Sequence, residues 1–331
     1  MSHVSTVEKT PGARSAAGRR TGRAPRSARA RSEARLGMML AAPAFLIMLF
    51  VVLYPIVQAF IDSLFSYRLT APGEKEFVGL ENYATILTDP VFWSGLGVTL
   101  LITVVTVAVE LVLGFLLALV MHHAIRSTRG LVRTMILVPY GIITVVSAFA
   151  WFYMFSIDSG YMNNWLDWVP GISADTNWFA QSGTALTVIM LSEIWKTTPF
   201  ISLLLLSGLA QVPGELTEAA AVDGATRLQR LTKVILPNMK AAIMVAVLFR
   251  ALDAFRIFDA IFIMTNGAYG TEVLSLLAYR TSIGRLEIGL GSAISVVLFL
   301  CVLLICFVAI KFFKVDLASG SDASGGKGGK K

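Results

Sequence analysis

Six ionisable side chains lie within two stretches of the sequence that are otherwise apolar. They are Glu193 and Lys196 in the first stretch and Arg250, Asp253, Arg256 and Asp259 in the second. Residues three apart are neighbours on a helix, so Arg250 with Asp253 and Arg256 with Asp259 can partly neutralise each other. Ionisable groups at membrane depth are costly and face a cavity or one another. These residues therefore offer hydrogen bonds to a polar solute or ion pairs between helices.

The composition of the whole chain places these charges in a membrane protein. Of 331 residues, 56% are hydrophobic and 15% are charged, with a mean hydropathy of +0.71, which is too apolar for a soluble domain of this size. Much of the net charge of +7 comes from an arginine-rich run between Arg14 and Arg35. Such a run is typical of membrane orientation or of contact with anionic lipid, and we expect no nucleic-acid partner. Cys301 and Cys306 lie in one apolar segment and indicate neither a disulfide framework nor a metal site.

The sequence predicts an all-α membrane protein with six transmembrane helices, each judged against the roughly 20 apolar residues that cross a bilayer. The predicted spans are residues 36–61, 91–121 and 134–157, and segments within 184–210, 241–265 and 288–310. We expect residues 1–35 to form a disordered, basic cytoplasmic arm, residues 36–313 the membrane domain, and residues 314–331 a flexible cytoplasmic tail. Glu110, a lone acid in the second span, is expected to make a buried hydrogen bond to a neighbouring helix.

Lys and Arg in the short loops predict that both termini are cytoplasmic. The N-terminal arm, residues 122–133 and the loop after the fourth span are basic and should be cytoplasmic, whereas residues 158–183 contain no Lys or Arg and should face outward. Arg280 and Arg285, in the last predicted outer loop, are the exception. His122 and His123 adjoin basic residues at a membrane boundary, which is typical of an interfacial anchor, and no metal site is predicted.

The predicted cytoplasmic loop 211–238 contains the stretch "EAAAVDGATRLQRLTKVILP". Pro213 and Gly214 mark the end of the fourth span, residues 215–222 favour a short helix, and Asp223 and Gly224 are a plausible stop after it. A second short helix follows, which Pro237 is expected to end. Ala219 and Ala220 present little side-chain bulk, so another protein could approach closely, while Glu218 offers a charge to a basic partner. In the alternative, this is an amphipathic loop that lies on the membrane surface.

The same stretch resembles the EAA loop of permease subunits in binding-protein-dependent ABC importers. The motif positions are Glu218, Ala219, Ala220, Gly224, Val234, Leu236 and Pro237, with Val234 where the family more often has isoleucine. The stretches "FVGLENYATILTDPVFWSGLGVTL" and "TNGAYGTEVLSLLAYRTSIGRLEIGLGSAIS" are similar to the branch that includes maltose and glycerol-phosphate importers. More narrowly, "EIWKTTPFISLLLLSGLA" and "LFRALDAFRIFDAIFIMT" resemble trehalose permease subunits of mycobacteria.

The resemblance implies a type I importer permease fold whose coupling helix docks on a separate ATPase. The coupling residues would be Glu218, Ala219, Ala220, Asp223, Gly224, Leu236 and Pro237. It further implies a second homologous permease, two ATPase subunits that use ATP and Mg²⁺, and an extracytoplasmic sugar-binding lipoprotein. The sequence has no G-x-x-x-x-G-K-[ST] motif, so we expect this chain to bind no cofactor of its own and to be a translocation subunit, not an enzyme. Glu218 would pair with a basic group of the ATPase, and Gly224 would adopt a positive φ.

For the intramembrane charges, the resemblance leaves two interpretations open. In one, they line the path of a disaccharide, with Asp, Arg and Asn266 bonded to sugar hydroxyls and Trp195, Phe255 or Phe258 facing the pyranose ring. In the other, they form a structural ion-pair network with the partner permease. In either case Glu193, Asp253 and Arg256 cannot face lipid.

Two other classes of protein and other solutes remain alternatives. A secondary transporter of this length would show internal duplication, and a membrane-embedded enzyme would need a convergent set of acids, bases or metal ligands. No obvious duplication is present, and the acids of the fifth span are flanked by arginines. The substrate could also be another sugar or a glycerol-phosphate-like solute.

Overall fold

The computed structural model describes residues 28–71, 73, 75–124 and 128–313. Its helices are α1 (Ala28–Asp62), α2 (Glu81–Thr88), α3 (Pro90–His123), α4 (Arg129–Gly141), α5 (Thr144–Phe155), α6 (Met162–Trp165), α7 (Ser182–Leu209), α8 (Gly214–Val222), α9 (Arg227–Arg230), α10 (Leu236–Asn238), α11 (Lys240–Ala254), α12 (Asp259–Met264), α13 (Leu274–Tyr279) and α14 (Ile288–Phe313). The predicted tail and most of the predicted arm lie outside the described residues. The arm's last residues begin α1.

Short elements of other kinds interrupt this helical fold. Leu231–Ile235 and Arg280–Gly284 are π-helical, and Ala268–Gly270 is a 3-10 turn. The strands β1 (Phe65–Ser66) and β2 (Glu76–Phe77) form an antiparallel ribbon. The fold is therefore helical, as predicted, apart from this ribbon.

Four described helices are long and apolar enough to cross a membrane. They are the apolar part of α1 together with α3, α7 and α14. The start of α3 is set locally, because Asp89 accepts a hydrogen bond from the backbone N–H of Val91 and Pro90 occupies the first turn. The remaining two predicted spans are broken in the structure.

The predicted span 134–157 is not one straight helix. α4 and α5 meet at an angle of 86°, so they count as a fifth candidate span only if the bent pair crosses the membrane together. Pro139 cannot donate a helical hydrogen bond, and Gly141 is a poor helix former. Together they end α4, and Ile142 and Ile143 separate it from α5.

The predicted span within 241–265 is also interrupted. α11 has 15 residues, or about 22 Å of rise, which is less than the thickness of a hydrocarbon core. Four non-helical residues, 255–258, separate it from α12. The Ser275 hydroxyl donates a hydrogen bond to the carbonyl of Ile257, which satisfies one backbone group freed by the break.

Contacts divide the described chain into two compact units, one that ends at Ile56 and one that begins at Val57. In the first unit, the large apolar side chains of α1 between Leu36 and Tyr54 are exposed. In the second unit, α3 and α7 are the central pair of helices, and buried apolar clusters join them to α5 and α12 on one side and to α4 and α11 on another. A further cluster joins α2, α13 and α14 to α3. These clusters fix the positions of α7, α11 and α12 relative to one another.

The loop between α6 and α7, predicted to face outward, is organised by one buried amide. The Asn163 side chain donates to the carbonyls of Ala174 and Thr176, each at 2.9 Å, and accepts from the Trp178 indole N–H at 2.6 Å. Asn163 is 6% exposed, so these bonds are shielded from water. This side chain is therefore structural.

Replacing Asn163 with alanine should loosen this loop. The change leaves the Trp178 N–H and two carbonyls without their partner, at a cost of about 1–3 kcal/mol for each buried group left unsatisfied. We expect faster cleavage between residues 163 and 181 in limited proteolysis of the purified chain. Asn164→Ala, at the exposed neighbouring position, is the matched control. Equal cleavage rates for the two variants would contradict the assignment.

Candidate functional site

A polar cavity of about 410 Å³ opens among α4, α5, α7, α11 and α12. Five of the eight predicted pathway residues line it, namely Glu193, Lys196, Asp253, Arg256 and Asp259. Arg256 lies in the four-residue break after α11, and Asp259 begins α12. The interruption of the predicted fifth span thus places these two charges in the wall of the cavity. The volume lies within the range of about 300–1,000 Å³ that is usual for small-molecule sites.

Arg250 does not line this cavity but is buried behind the residues that do. Its side chain is 2% exposed, and its Nε and Nη2 atoms donate to the two oxygens of Glu110 at 2.5 and 3.0 Å. Glu110 also accepts a hydrogen bond from the Thr197 hydroxyl at 2.7 Å. The predicted buried hydrogen bond of Glu110 is confirmed, and its ion pair with Arg250 was not predicted.

The same guanidinium connects this buried pair to the cavity wall. Nη1 of Arg250 lies 2.8 Å from Oδ2 of Asp253, and Nη2 lies 3.5 Å from Oε2 of Glu193. Arg250 therefore joins α3, α7 and α11 through three carboxylates. The Arg250–Asp253 pair at spacing three is as predicted, and Arg250 belongs to an ion-pair network within this chain.

The predicted pairing of Arg256 with Asp259 is wrong. Among the ion pairs of the described residues, none joins these two side chains within 4.0 Å. The pairing assumed a continuous helix, and the chain is not helical from Phe255 to Phe258. Both side chains line the cavity without neutralising each other directly.

Two further predicted pathway residues do not line the cavity. Trp195 is 41% exposed, and its ring lies 6.1 Å from that of Trp151. Asn266 follows α12, has a φ of +48°, and its carbonyl accepts a hydrogen bond from Arg280. Because the α7 helix turns by 100° per residue, Trp195 points away from the face that carries Glu193 and Lys196.

Sequence reasoning missed four residues of the cavity wall, Tyr140, Thr144, Thr197 and Ile257. Of the two phenylalanines predicted to face the sugar ring, Phe258 lines the cavity and Phe255 is buried in an apolar cluster. The Lys196 ammonium lies 5.9 Å from the centre of the Tyr140 ring, and the Phe258 ring stacks on that of Phe262 with centroids 5.3 Å apart. Pro139 and Gly141, on either side of Tyr140, were the local signals of a break in this part of the sequence.

The predicted coupling loop has an exposed first helix. No residue of α8 is buried, and Glu218, Ala219 and Asp223 are exposed while Ala220 is partly covered. Gly224 has a φ of +80°, which confirms the predicted positive value. After it, Thr226 and Gln229 form a capping box that begins α9.

The second helical segment of this loop runs through α9, the π-helical turn and α10. Pro237 does not end it at once, because the segment continues to Asn238 and breaks at Met239. Since Pro237 has no N–H to donate to the preceding turn, a wider turn is needed before it, and the N–H of Leu236 bonds to the carbonyl of Leu231 five residues back. Leu236 is partly buried and Pro237 is exposed.

Comparisons with known proteins agree with this architecture. Residues 110–315 match the family described as "Binding-protein-dependent transport system inner membrane component". The trehalose transport system permease protein SugA of Mycobacterium tuberculosis is 49% identical over 294 residues, which cover 89% of this chain and 93% of the relative. The trehalose/maltose transport system permease protein MalF of Thermococcus litoralis is 36% identical over 282 residues, which cover 84% and 94%.

A solved structure shares the fold. A chain of a bacterial ABC transporter involved in the import of the acidic polysaccharide alginate has a TM-score of 0.73 and 22% identity, and the match covers 86% of this chain and 98% of that one. At this identity the likeness concerns the fold alone. From the family match and the two relatives, the chain belongs to the multi-pass inner-membrane permease components of binding-protein-dependent ABC transport systems.

Proposed function

We propose that this chain is the translocation subunit of an importer that moves a disaccharide of the trehalose or maltose type into the cell by alternating access. The observation that carries the proposal is the polar cavity at the break between α11 and α12. Non-helical backbone at membrane depth is tolerated where it lines a cavity, and interrupted helices surround the substrate in many transporters. The two trehalose-transporting relatives support the choice of substrate class.

The wall of the cavity has the chemistry that an uncharged sugar needs. Its three carboxylates accept hydrogen bonds from hydroxyl groups, and the Lys196 and Arg256 side chains donate to hydroxyl oxygens. Tyr140 and Phe258 provide aromatic surface beside these groups. Opposite charges on one wall also disfavour a strongly anionic solute, because its charge would meet the carboxylates.

We further propose that α8 docks on a separate ATPase, which binds ATP and Mg²⁺, while this chain binds neither. Its exposed face, with Glu218 and Ala219, supports this role, and Gly224 sets the turn behind it. The complete assembly would contain a second permease, two ATPase copies and an extracytoplasmic sugar-binding lipoprotein. In it, the bent α4–α5 pair and the interrupted α11–α12 pair would complete six spans, with both termini in the cytoplasm.

Uptake of radiolabelled sugar tests the substrate. Cells with and without this gene are compared for entry of labelled trehalose and of labelled maltose at equal concentration. We expect trehalose entry to be lost on deletion and restored by the gene on a plasmid. Unchanged entry of both sugars would refute the assignment to this class of disaccharide while leaving the family membership intact.

Replacing Gly224 with valine should reduce uptake per ATP hydrolysed. Apart from the neighbouring residues in the chain, no atom of the described residues lies within 4 Å of the position that a Cβ would occupy, so the added strain comes from the φ of +80°. A left-handed conformation costs an L-residue about 1–2 kcal/mol, which converts to roughly a fivefold or larger loss of the correct turn. The measurement is sugar uptake and ATP hydrolysis by the complex in the same proteoliposomes.

Gly171→Val is the matched control. Gly171 has a φ of +92° and equally open surroundings, but it lies in the loop between α6 and α7. We expect this variant to retain the normal ratio of uptake to hydrolysis. If Gly224→Val also kept the normal ratio of sugar uptake to ATP hydrolysis, the proposed role of this turn in coupling would be contradicted.

A further inference from the structure

A second cavity, of about 640 Å³, lies where α3 and α7 end beside the coupling loop. Its basic wall consists of His122, His123, Arg227 and Arg230, and no Asp or Glu is among its described lining residues. Apolar side chains that include Leu119 form the remainder of the wall. The cavity therefore combines positive charge with hydrophobic surface.

The position of this cavity relative to the membrane follows from the helices that form it. α3 ends at His123 and α7 at Leu209, and both helices are candidate membrane spans. Their last turns line the cavity, so it lies at the level where the hydrocarbon core meets the lipid headgroups. Basic residues at such a boundary attract anionic lipid.

Arg230, which lines the cavity, has one donor that lacks a partner among the described residues. The Nε atom of Arg230 is buried and forms no hydrogen bond with the described protein atoms. A buried donor left unsatisfied is costly, and a guanidinium group matches the oxygens of a phosphate. Nδ1 of His123 lies 2.9 Å from the carbonyl of Leu119, so only its other ring nitrogen is available to a ligand.

We infer that this cavity binds an anionic phospholipid, with the headgroup phosphate on Arg227 and Arg230 and an acyl chain against Leu119 and its apolar neighbours. The site goes beyond the proposed sugar transport and does not depend on it. A lipid bound there contacts both the ends of the spans and the second helical segment of the coupling loop. The anionic lipid content of the membrane would thereby affect how firmly this loop is held.

Lipid binding to the full-length purified chain tests the inference. The chain is delipidated in detergent and titrated with phosphatidylglycerol or phosphatidylcholine, and retained lipid is counted by native mass spectrometry. We expect phosphatidylglycerol to bind about thirtyfold more weakly to Arg227→Gln/Arg230→Gln, roughly fivefold for each arginine. Lys233→Gln/Lys240→Gln removes the same charge from the same region, at exposed residues outside the cavity, and should bind normally.

Any of four results would overturn the inference. Phosphatidylcholine could bind as tightly as phosphatidylglycerol, the lysine control could lose as much affinity as the arginine variant, or inorganic phosphate could displace the lipid at equal concentration. The last result would indicate a site for free anions. Because Arg230 is partly buried, Arg227→Gln alone, at an exposed side chain, is measured too, and an unchanged affinity in that variant would also count against the site.

Discussion

Replacing Arg250 with methionine is expected to destabilise the chain by about 3–5 kcal/mol, because the change leaves a buried carboxylate without its counter-ion. Glu110 is fully buried and receives two hydrogen bonds from Arg250. Glu193 and Asp253 lose the same partner. The measurement is the thermal unfolding of the purified chain in detergent, followed by light scattering or intrinsic fluorescence.

Two comparisons isolate the effect of the buried charge. Arg68→Met breaks an ion pair of 2.8 Å with Glu287 in which the arginine side chain is 63% exposed, and exposed pairs contribute about 0–1 kcal/mol. The double variant Glu110→Gln/Arg250→Met removes both members of the buried pair and should recover part of the lost stability. If Arg250→Met unfolds at the same temperature as Arg68→Met, the buried network does not stabilise the fold.

Replacing Ala219 with tryptophan is expected to abolish transport in a chain that folds normally. Ala219 is exposed on α8, a helix with no buried residue, so the change should alter folding stability by no more than about 0.5 kcal/mol. A bulky side chain at the centre of a docking surface, however, disrupts an interface, and losses of about 2 kcal/mol or roughly thirtyfold in affinity are typical there. The measurement is sugar uptake together with co-purification of the ATPase.

Ala241→Trp is the control for Ala219→Trp. Ala241 is also exposed and lies on α11, just beyond the predicted coupling loop. We expect this variant to keep the ATPase and to transport sugar. Normal uptake by Ala219→Trp would show that α8 does not form the docking surface.

The coupling loop could be predicted from the sequence because its signals are local. Pro213, Asp223 and Gly224 mark the ends of a short helix wherever the rest of the chain lies, and α8 begins and ends within one residue of the predicted helix. The positive φ of Gly224 follows from the same short-range rule. Pro139 and Gly141 gave an equally local signal of the bend after α4, but a continuous run of apolar residues favoured a single span.

The buried network could not be predicted because its partners are far apart along the chain. Glu110 and Arg250 are separated by 140 residues, and a charge in one apolar helix does not indicate which other helix carries its partner. The break at Phe255–Phe258 contains neither Gly nor Pro, so nothing local marks it. That break moves Arg256 and Asp259 off a common helix and into the cavity wall.

Protection of α8 by a peripheral protein tests the coupling proposal most directly. A single cysteine is placed at Ala219 after Cys301 and Cys306 are replaced by alanine, and inverted membrane vesicles are labelled with a maleimide before and after urea removes peripheral proteins. We predict slow labelling before removal and severalfold faster labelling afterwards, whereas a cysteine at Lys240 labels at the same rate in both. Equal rates at Ala219 before and after removal would contradict the docking of a separate ATPase on this helix.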